Sequence, residues 1–361
     1  MVYYQNGSLV MNPLYMDRLA APNLKWEKTT SYNVGLDFAF FGSRLTGSFD
    51  YYFKNTTDMI MAQRLPSFSG FGSILANLGE VHNSGFELSL NSTNIQTKDF
   101  KWTTAAGISL NKNKIIHIYY DYDENGVERD DSSNGWFIGK AANEIWYYET
   151  DGVWQNTPED IKQAALVGQK PGDPKVVNNY TEDDKILSDG TRVPVYNDKD
   201  KTFLGPQTPP IYWNMRNDFE WKDFTFAFSL YSYMGHKSLS GNWLNQDNGG
   251  SQVTNCFNMP DKKYWTPDNP TNDYCRLDAK GPNTGLAGGV SKLYNRSFLR
   301  LDNISVGYTL PREMTRKFMV DRIHLTFSCN NVFTISGWEY GDPETGGFAT
   351  RTFNFGVNVT L

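Results

Sequence analysis

The sequence predicts an all-β fold, an antiparallel β-barrel wall that spans a membrane, and three observations lead to this prediction. Apolar and polar residues alternate over stretches of about 8 to 12 residues, which is the period of strands with two different faces. Strands of about ten residues can cross a bilayer at a tilt and are longer than most strands of soluble sheets. Aromatic residues gather near strand ends, as at Phe100, Trp102 and Trp221, where amphipathic rings suit the lipid headgroup zone.

The first two strands are predicted to form a hairpin. Residues 32–41 place four apolar side chains on one face, namely Val34, Leu36, Phe38 and Phe40. A short turn over residues 41–43 follows, and the alternation resumes with Leu45, Gly47, Phe49, Tyr51 and Phe53. Two alternating runs joined by a short turn containing Gly are the signature of a β-hairpin.

The same alternation predicts further strands along the chain. They are expected around residues 86–91, 102–110, 223–230, 304–310, 323–330 and 353–361. The last is the clearest, because its apolar residues all share one face: Phe353, Phe355, Val357, Val359 and Leu361. Very short turns, such as residues 221–223, alternate with long polar connections.

The long polar connections are expected at residues 61–82, 111–135, 150–209 and 237–296. Loops of this length are uncommon in compact soluble domains, whereas outer-membrane barrels have long extracellular loops. Within the third, Thr157 to Val167 predicts a short capped helix, because Pro158 and two acidic residues precede its apolar positions.

Composition and charge exclude several classes of protein. The net charge of -6 lacks the positive excess that a phosphate-binding surface needs, so nucleic acid is not an expected partner. No run approaches the roughly 18 to 20 apolar residues of a membrane-spanning helix. A mean hydropathy of -0.55 still suits a barrel wall, because such strands are polar on one side.

No arrangement of residues predicts catalysis, a cofactor or a metal. The histidines are scattered, at His82, His117, His236 and His324, without a nucleophile motif nearby. Adjacent acids such as Asp130 and Asp131, or Asp183 and Asp184, lie in polar segments without the burial that general acid catalysis requires. The chain is therefore not expected to be an enzyme.

One acidic segment begins like a calcium loop. Asp121, Asp123 and Asn125 offer oxygens at the first, third and fifth positions, and Gly126 follows at the sixth. Position 12 is Ser132, where a bidentate Glu is needed to complete the oxygen shell. A solvated acidic turn is the favoured interpretation.

The cysteines and the N-terminus bear on export. Three cysteines show no zinc-type spacing, and Cys256 and Cys275 share one long predicted loop, where either a disulfide or two reduced thiols are compatible with the sequence. The first twenty residues have no positively charged start followed by an apolar core. An exported protein needs a signal, so we expect the chain to be a piece that lacks its beginning.

Four tryptophans in or beside the long loops are candidate ligand contacts: Trp136, Trp154, Trp243 and Trp265. An exposed ring beside Asn and Asp can stack on a sugar face and bind its hydroxyls. The alternative is that each ring packs against residues of its own loop.

Seven strings, in order along nearly the whole chain, resemble the C-terminal barrel of the SusC/RagA family of TonB-dependent transporters. They are 23–37 (NLKWEKTTSYNVGLD), 50–58 (DYYFKNTTD), 77–87 (NLGEVHNSGFE), 170–173 (KPGD), 297–311 (SFLRLDNISVGYTLP), 330–336 (NNVFTIS) and 341–344 (GDPE). Two features depart from the family pattern. At residues 176–184 (VVNNYTEDD) the sequence differs from the acidic loop that family members often have at this place. The last residue is Leu361, whereas barrels commonly end in Phe.

The resemblance implies TonB-dependent import across the Gram-negative outer membrane of oligosaccharides, or of peptides, together with a SusD-like surface lipoprotein. Residues 1–361 would be the C-terminal part of the receptor barrel in contact with outer-membrane lipid, with about ten to twelve strands of a roughly 22-stranded whole. Contact with the TonB complex would come from an N-terminal portion that also holds the plug. The alternative is a secreted, soluble β-rich module that binds carbohydrate or acts as an adhesin, with its apolar faces in a dry core.

Overall fold

The computed structural model describes residues 2–5, 8–11, 20–65, 67–241, 243, 246–247, 250–251 and 262–361. The chain forms two compact units. The first comprises Met1–Gly35, Asp50–Phe86 and Asn111–Ala142, and the second comprises Leu36–Phe49, Glu87–Leu110 and Asn143–Leu361.

Nine long strands form one sheet in the described part of the chain. They are β1 (Lys28–Phe40), β2 (Leu45–Thr57), β3 (Glu80–Gln96), β4 (Phe100–His117), β5 (Ile211–Trp221), β6 (Phe224–Met234), β7 (Phe298–Thr309), β8 (Arg322–Ser336) and β9 (Thr352–Thr360). Each strand pairs with its neighbours in the sequence, so their order in the sheet is their order in the chain. This simple meander confirms the predicted class, a large antiparallel sheet.

The connections of the sheet alternate between its two ends. The strand pairs from β4 to β9 are antiparallel. The turns at residues 222–223 and 310–321 therefore leave the sheet at one end, and the connections that follow β4, β6 and β8 leave it at the opposite end. We call these the short-turn end and the loop end.

Short elements lie before β1 and in the connections between the long strands. Strand pairs are Val2–Gln5 with Ser8–Met11, Ile60–Arg64 with Ser73–Asn77, Glu144–Tyr148 with Lys201–Pro206, Thr150–Val153 with Pro174–Val176, Lys185–Ile186 with Arg192–Val193, Lys237–Ser240 with Lys292–Asn295, and Gln246–Asp247 with Gly250–Ser251. Among the described residues, the α-helices are α1 (Pro158–Leu166) and α2 (Arg312–Thr315), and 3-10 turns cover Ser67–Ser69, Asp198–Asp200 and Arg316–Phe318. No helix in the described part is long and apolar enough to cross a membrane.

The predicted hairpin, the last strand and the capped helix are confirmed. Thr157 is the N-cap of α1, and its side chain accepts a hydrogen bond from the backbone N–H of Asp160. The predicted loop at 111–135 began too early, because β4 continues to His117. The loop predicted over 61–82 likewise ends sooner, since β3 begins at Glu80. Polar side chains near the rim of a sheet interrupt the sequence pattern without interrupting backbone pairing.

A buried apolar core lies in the connections of the second unit. Its members are Tyr148, Val153, Val167, Val176, Tyr196, Trp243, Trp265, Cys275, Ala279 and Val290. They come from residues 143–210 and 235–297, so two long loops fold against each other. Burial raises the pKa of Tyr196 to about 12, and its hydroxyl donates to the carbonyl of Val176 at 3.2 Å. We call this set the loop core.

Candidate functional site

The sheet has one apolar face, and its side chains align in rows across the strands. The row nearest the short-turn end is Phe100, Trp221, Phe224, Tyr308, Leu325 and Val357. The next row is Trp102, Phe219, Phe226, Val306, Phe327 and Phe355. Neighbouring rings contact each other, as where Trp102 stacks on Phe219 with centroids 5.5 Å apart.

The apolar face is exposed in the structure of the chain. The exposed fraction is 71% for Phe355 and 48% for Phe327. A large contiguous apolar surface of this kind marks an interface with membrane or with another protein. The rows of aromatic rings correspond to the girdle that barrels place at the membrane boundary.

The opposite face is polar. On β5 it presents Tyr212, Asn214, Arg216, Asp218 and Glu220. Arg216 binds Asp218 on the same strand at 2.7 Å. Lys101 of β4 lies 3.6 Å from Glu220. Both ion pairs are partly exposed, so they contribute little to stability.

Toward the loop end, aromatic rings cover the polar face. The rings of Tyr212 and Tyr233 meet edge to face with centroids 4.7 Å apart. Tyr231 contacts Phe298 at 5.7 Å, and Phe298 contacts Tyr233 at 5.1 Å. We call these four residues the tyrosine cluster. Phenol rings offer an apolar surface together with a hydroxyl that can bind a ligand.

A buried arginine lies beside the tyrosine cluster. Arg300 of β7 donates to Tyr231 at 3.1 Å, to Glu344 at 3.2 Å and to Thr334 at 3.0 Å. It also pairs with Asp342, which is buried. Burial favours the neutral form of Asp342, but backbone N–H groups of residues 344 and 345 and the charge of Arg300 hold its pKa below the ordinary value. This network fixes the loop after β8 to the polar face.

The segment 170–173 joins the two long loops of the second unit. Asp173 is buried and accepts hydrogen bonds from Arg276 at 2.9 Å and from the backbone N–H of Lys280 at 3.1 Å. Gly172 has a φ of +90°, and a Cβ there would lie 2.6 Å from the Trp265 ring. Only glycine fits this backbone and this close approach. The segment 170–173, which resembles the family motif, therefore has a structural role in holding the two loops together.

Three of the four predicted ligand tryptophans lie within the second unit's loops and are buried there. Trp243, at 0% exposure, donates its indole N–H to the carbonyl of Val290 at 2.8 Å. Trp154 donates to Gln169 at 2.9 Å, and Trp265 donates to a neighbouring glutamine at 3.0 Å. These rings match the packed alternative in this conformation, and ligand contact through them stays a prediction.

The fourth tryptophan, Trp136, is half-buried in the first unit. Nearby, Glu128 accepts hydrogen bonds from His117 at 2.6 Å and from the backbone N–H of Ile118 at 2.8 Å. Burial alone would raise the pKa of Glu128, but these bonds and that from Tyr120 outweigh it and lower the pKa. The acidic residues of this loop order their own turns.

The calcium-like segment forms a turn of its own. Asp123 accepts the backbone N–H groups of Asn125 and Val127, both at 2.8 Å, which forms an acidic turn. Among the described residues, no group of three or more His, Cys, Asp or Glu is arranged to hold a metal ion. Cys275 is buried in the loop core, whereas Cys256 lies outside the described residues, so the disulfide stays a prediction.

The sequence and the sheet resemble those of known proteins. The family described as TonB dependent receptor-like, beta-barrel, matches residues 3–332. The chain belongs to this family. TonB-dependent receptor barrels are outer-membrane proteins that act as receptors and transporters, which agrees with the predicted fold class.

Curated relatives of this chain are named as TonB-dependent receptors. TonB-dependent receptor P3 of Formosa agariphila is 30% identical over 355 residues, which are 95% of this chain and 33% of the relative. SusC of Bacteroides thetaiotaomicron is 28% identical over 340 residues, 89% of this chain and 30% of SusC. The chain thus spans about a third of the length of the relatives it matches.

Solved structures share the fold of this TonB-dependent receptor barrel. A structure of the RagAB peptide transporter matches with a TM-score of 0.69 and 23% identity, over 99% of this chain and 38% of that chain. The RagAB peptide importer in an open-open state matches with a TM-score of 0.71 and 22% identity, over 100% and 37%. Together with the family match, these results support the resemblance to SusC/RagA proteins.

Family membership assigns the two faces of the sheet. In a TonB-dependent receptor barrel the apolar face meets lipid and the polar face lines the interior. The alternative of a soluble module is wrong, because it required these apolar faces to be packed in a dry core. The nine described strands are fewer than the ten to twelve counted in the sequence, since several polar segments form short pairs outside the sheet.

The residues that dominate the polar face were not predicted from the sequence. Tyr212, Arg216 and Glu220 alternate with Trp213, Met215, Phe219 and Trp221, so a period-two signal was present in β5. Arg300 lay in a recognised string, but its buried network could not be seen, because its partners are 34 to 69 positions away.

Proposed function

We propose that the chain forms part of the wall and the loop end of an outer-membrane importer for oligosaccharides, energised by the TonB complex and working with a SusD-like surface lipoprotein. The observation that supports this most directly is the tyrosine cluster on the interior face, beside the Arg300 network. Phenol rings and charged hydrogen-bonding groups side by side suit sugar rings and their hydroxyls.

Peptides are the second candidate ligand. The interior face of β5 presents Arg216, Asp218 and Glu220, whose charges suit peptide termini and side chains. The RagAB structures are those of a peptide transporter. The loop tryptophans Trp136, Trp154, Trp243 and Trp265 remain proposed contacts, and opening of the loops would be needed for the three buried rings.

The outer-membrane location is tested on the native gene product. Cell fractionation should recover the protein in the outer membrane, and the extracted protein should migrate differently on a gel before and after heating, as folded barrels do. Recovery in the soluble fraction without a mobility shift would contradict the proposal.

Ligand contact is tested by substitution on the two faces. Tyr233→Ala on the interior face should weaken ligand binding by about 1 to 3 kcal/mol, while Phe226→Ala on the lipid face should leave it unchanged. Oligosaccharide and peptide libraries titrated onto the purified receptor by calorimetry separate the two ligand classes. Equal loss in both variants would indicate a general folding defect and refute a ligand role for the cluster.

A further inference from the structure

Polar side chains interrupt the apolar face between its aromatic rows and the loop end. Asn217 pairs with Thr104 on one side and with Phe228 on the other, so it lies on the lipid face. Ser92 donates to Asn94 at 2.9 Å, Asn94 donates to Thr104 at 2.7 Å, and Thr104 donates to Asn217 at 2.7 Å. We call Ser92, Asn94, Thr104 and Asn217 the polar seam.

The seam ends on an unpaired donor. The Oδ1 atom of Asn217 accepts from Thr104 and also from the indole N–H of Trp102 at 2.9 Å. Two donors at one atom fix it as the oxygen of the amide. The Nδ2 group then has no acceptor among the residues that the structure describes, and the residue as a whole is 4% exposed. An amide donor without a partner is costly where it faces hydrocarbon.

A groove opens beside this donor. It has a volume of about 450 Å³. Apart from the seam and Trp102, its walls are Leu45, Leu90, Ala106, Met215, Phe219 and Phe228. These walls are apolar and carry no charge, so they suit a hydrocarbon chain.

We propose that this groove binds a phospholipid of the surrounding membrane, with Nδ2 of Asn217 donating to the ester carbonyl of one acyl chain. The proposal rests on the outer-membrane location proposed above. Asn217 lies two residues, about 7 Å along the strand, beyond the row of Trp102 and Phe219. Aromatic rings mark the headgroup boundary, and the ester follows the headgroup in a phospholipid. A phosphate is disfavoured, because the groove presents no cation.

The test uses the full-length receptor that contains this chain, purified and stripped of lipid. Native mass spectrometry follows its titration with diester phosphatidylethanolamine and with the diether analogue of the same chain length, which lacks the carbonyl. One molecule of the diester should bind about two- to tenfold more tightly than the diether. Equal binding of the two lipids by the unsubstituted receptor would overturn the proposal.

Matched variants locate the preference. Asn217→Leu should abolish the difference between the lipids, whereas Asn214→Leu, three residues away on the interior face, should retain it. Ala106→Phe fills the groove while leaving the seam intact, and should weaken binding of both lipids. A diester preference that persists in Asn217→Leu would also refute the site. The gel mobility shift confirms folding of each variant, and fractionation reports on the membrane location separately.

Discussion

Replacing Asp173 by Ala should loosen the loop end of the molecule. The Asp173 side chain is 2% exposed, and it accepts from Arg276 at 2.9 Å and from the backbone N–H groups of Lys280 at 3.1 Å and Lys170 at 3.0 Å. These donors come from both long loops of the second unit. Asp173→Ala removes the shared acceptor and leaves the Arg276 charge without its partner.

The expected magnitude follows from burial. Breaking a buried ion pair by removing one partner costs about 3–5 kcal/mol. The Arg276 side chain is 16% exposed, so the lower end applies. A loss of about 3 kcal/mol raises the population of the opened loops about a hundredfold. The matched control is Asp151→Ala, because Asp151 and its partner Lys175 are 67% and 32% exposed and contribute about 0–1 kcal/mol.

Hydrogen exchange with mass spectrometry on the detergent-solubilised receptor measures this opening directly. Peptides covering residues 167–176 and 275–283 should exchange about a hundredfold faster in Asp173→Ala. Exchange no faster than in Asp151→Ala would show that Asp173 does not join the two loops.

Three further outcomes are expected. Gly172→Ala, at a φ of +90° and 2.6 Å from the Trp265 ring, should speed exchange in the same loops, whereas Gly190→Ala, with a φ of +82° in open space, should have a smaller effect. Arg300→Met leaves the buried Asp342 carboxylate without its ion-pair partner, so the free energy needed to open the loop after β8 should fall by about 3 kcal/mol. Protease added to whole cells should then cleave this loop faster. Because the folded pKa of Glu128 is lowered from 4.5, its stabilisation is present above that pH and is lost as the pH falls through the folded value. The hydrogen-exchange rate of the loop that contains Glu128, corrected for the intrinsic pH dependence of exchange, should therefore rise as the pH is lowered. In Glu128→Gln this rate should depend less on pH.

The sheet could be predicted because each strand is indicated by the alternation of apolar and polar residues within the strand itself. Alternation in β1, β2 and β9 reports both the strand and its two faces within about ten residues. The helix α1 was equally accessible, since its N-cap Thr157 and the acidic first turn are adjacent in sequence.

The loop end could not be predicted in the same way, because its contacts are distant in sequence. Asp173 meets a backbone donor 107 positions away, and Trp265 meets its glutamine partner 110 positions away. The sequence identifies a tryptophan in a polar loop but not whether a second loop covers it. The end of β4 was misjudged for a related reason, since pairing with a neighbouring strand is not visible in the strand's own side chains.

The shared loop core limits how the loop end can be exchanged between related proteins. The described residues of 143–210 and 235–297 bury one set of side chains between them, and the hydroxyls of Tyr294 and Tyr340 form a hydrogen bond of 2.8 Å between the second loop and the loop after β8. If one loop alone were transplanted, its half of the core would lose its packing partners. The Asp173 carboxylate or the Arg276 guanidinium would also lose its ion-pair partner. Chimaeras that exchange all three segments together should keep a folded loop end, so ligand preference in such proteins is expected to be inherited, and engineered, as a block.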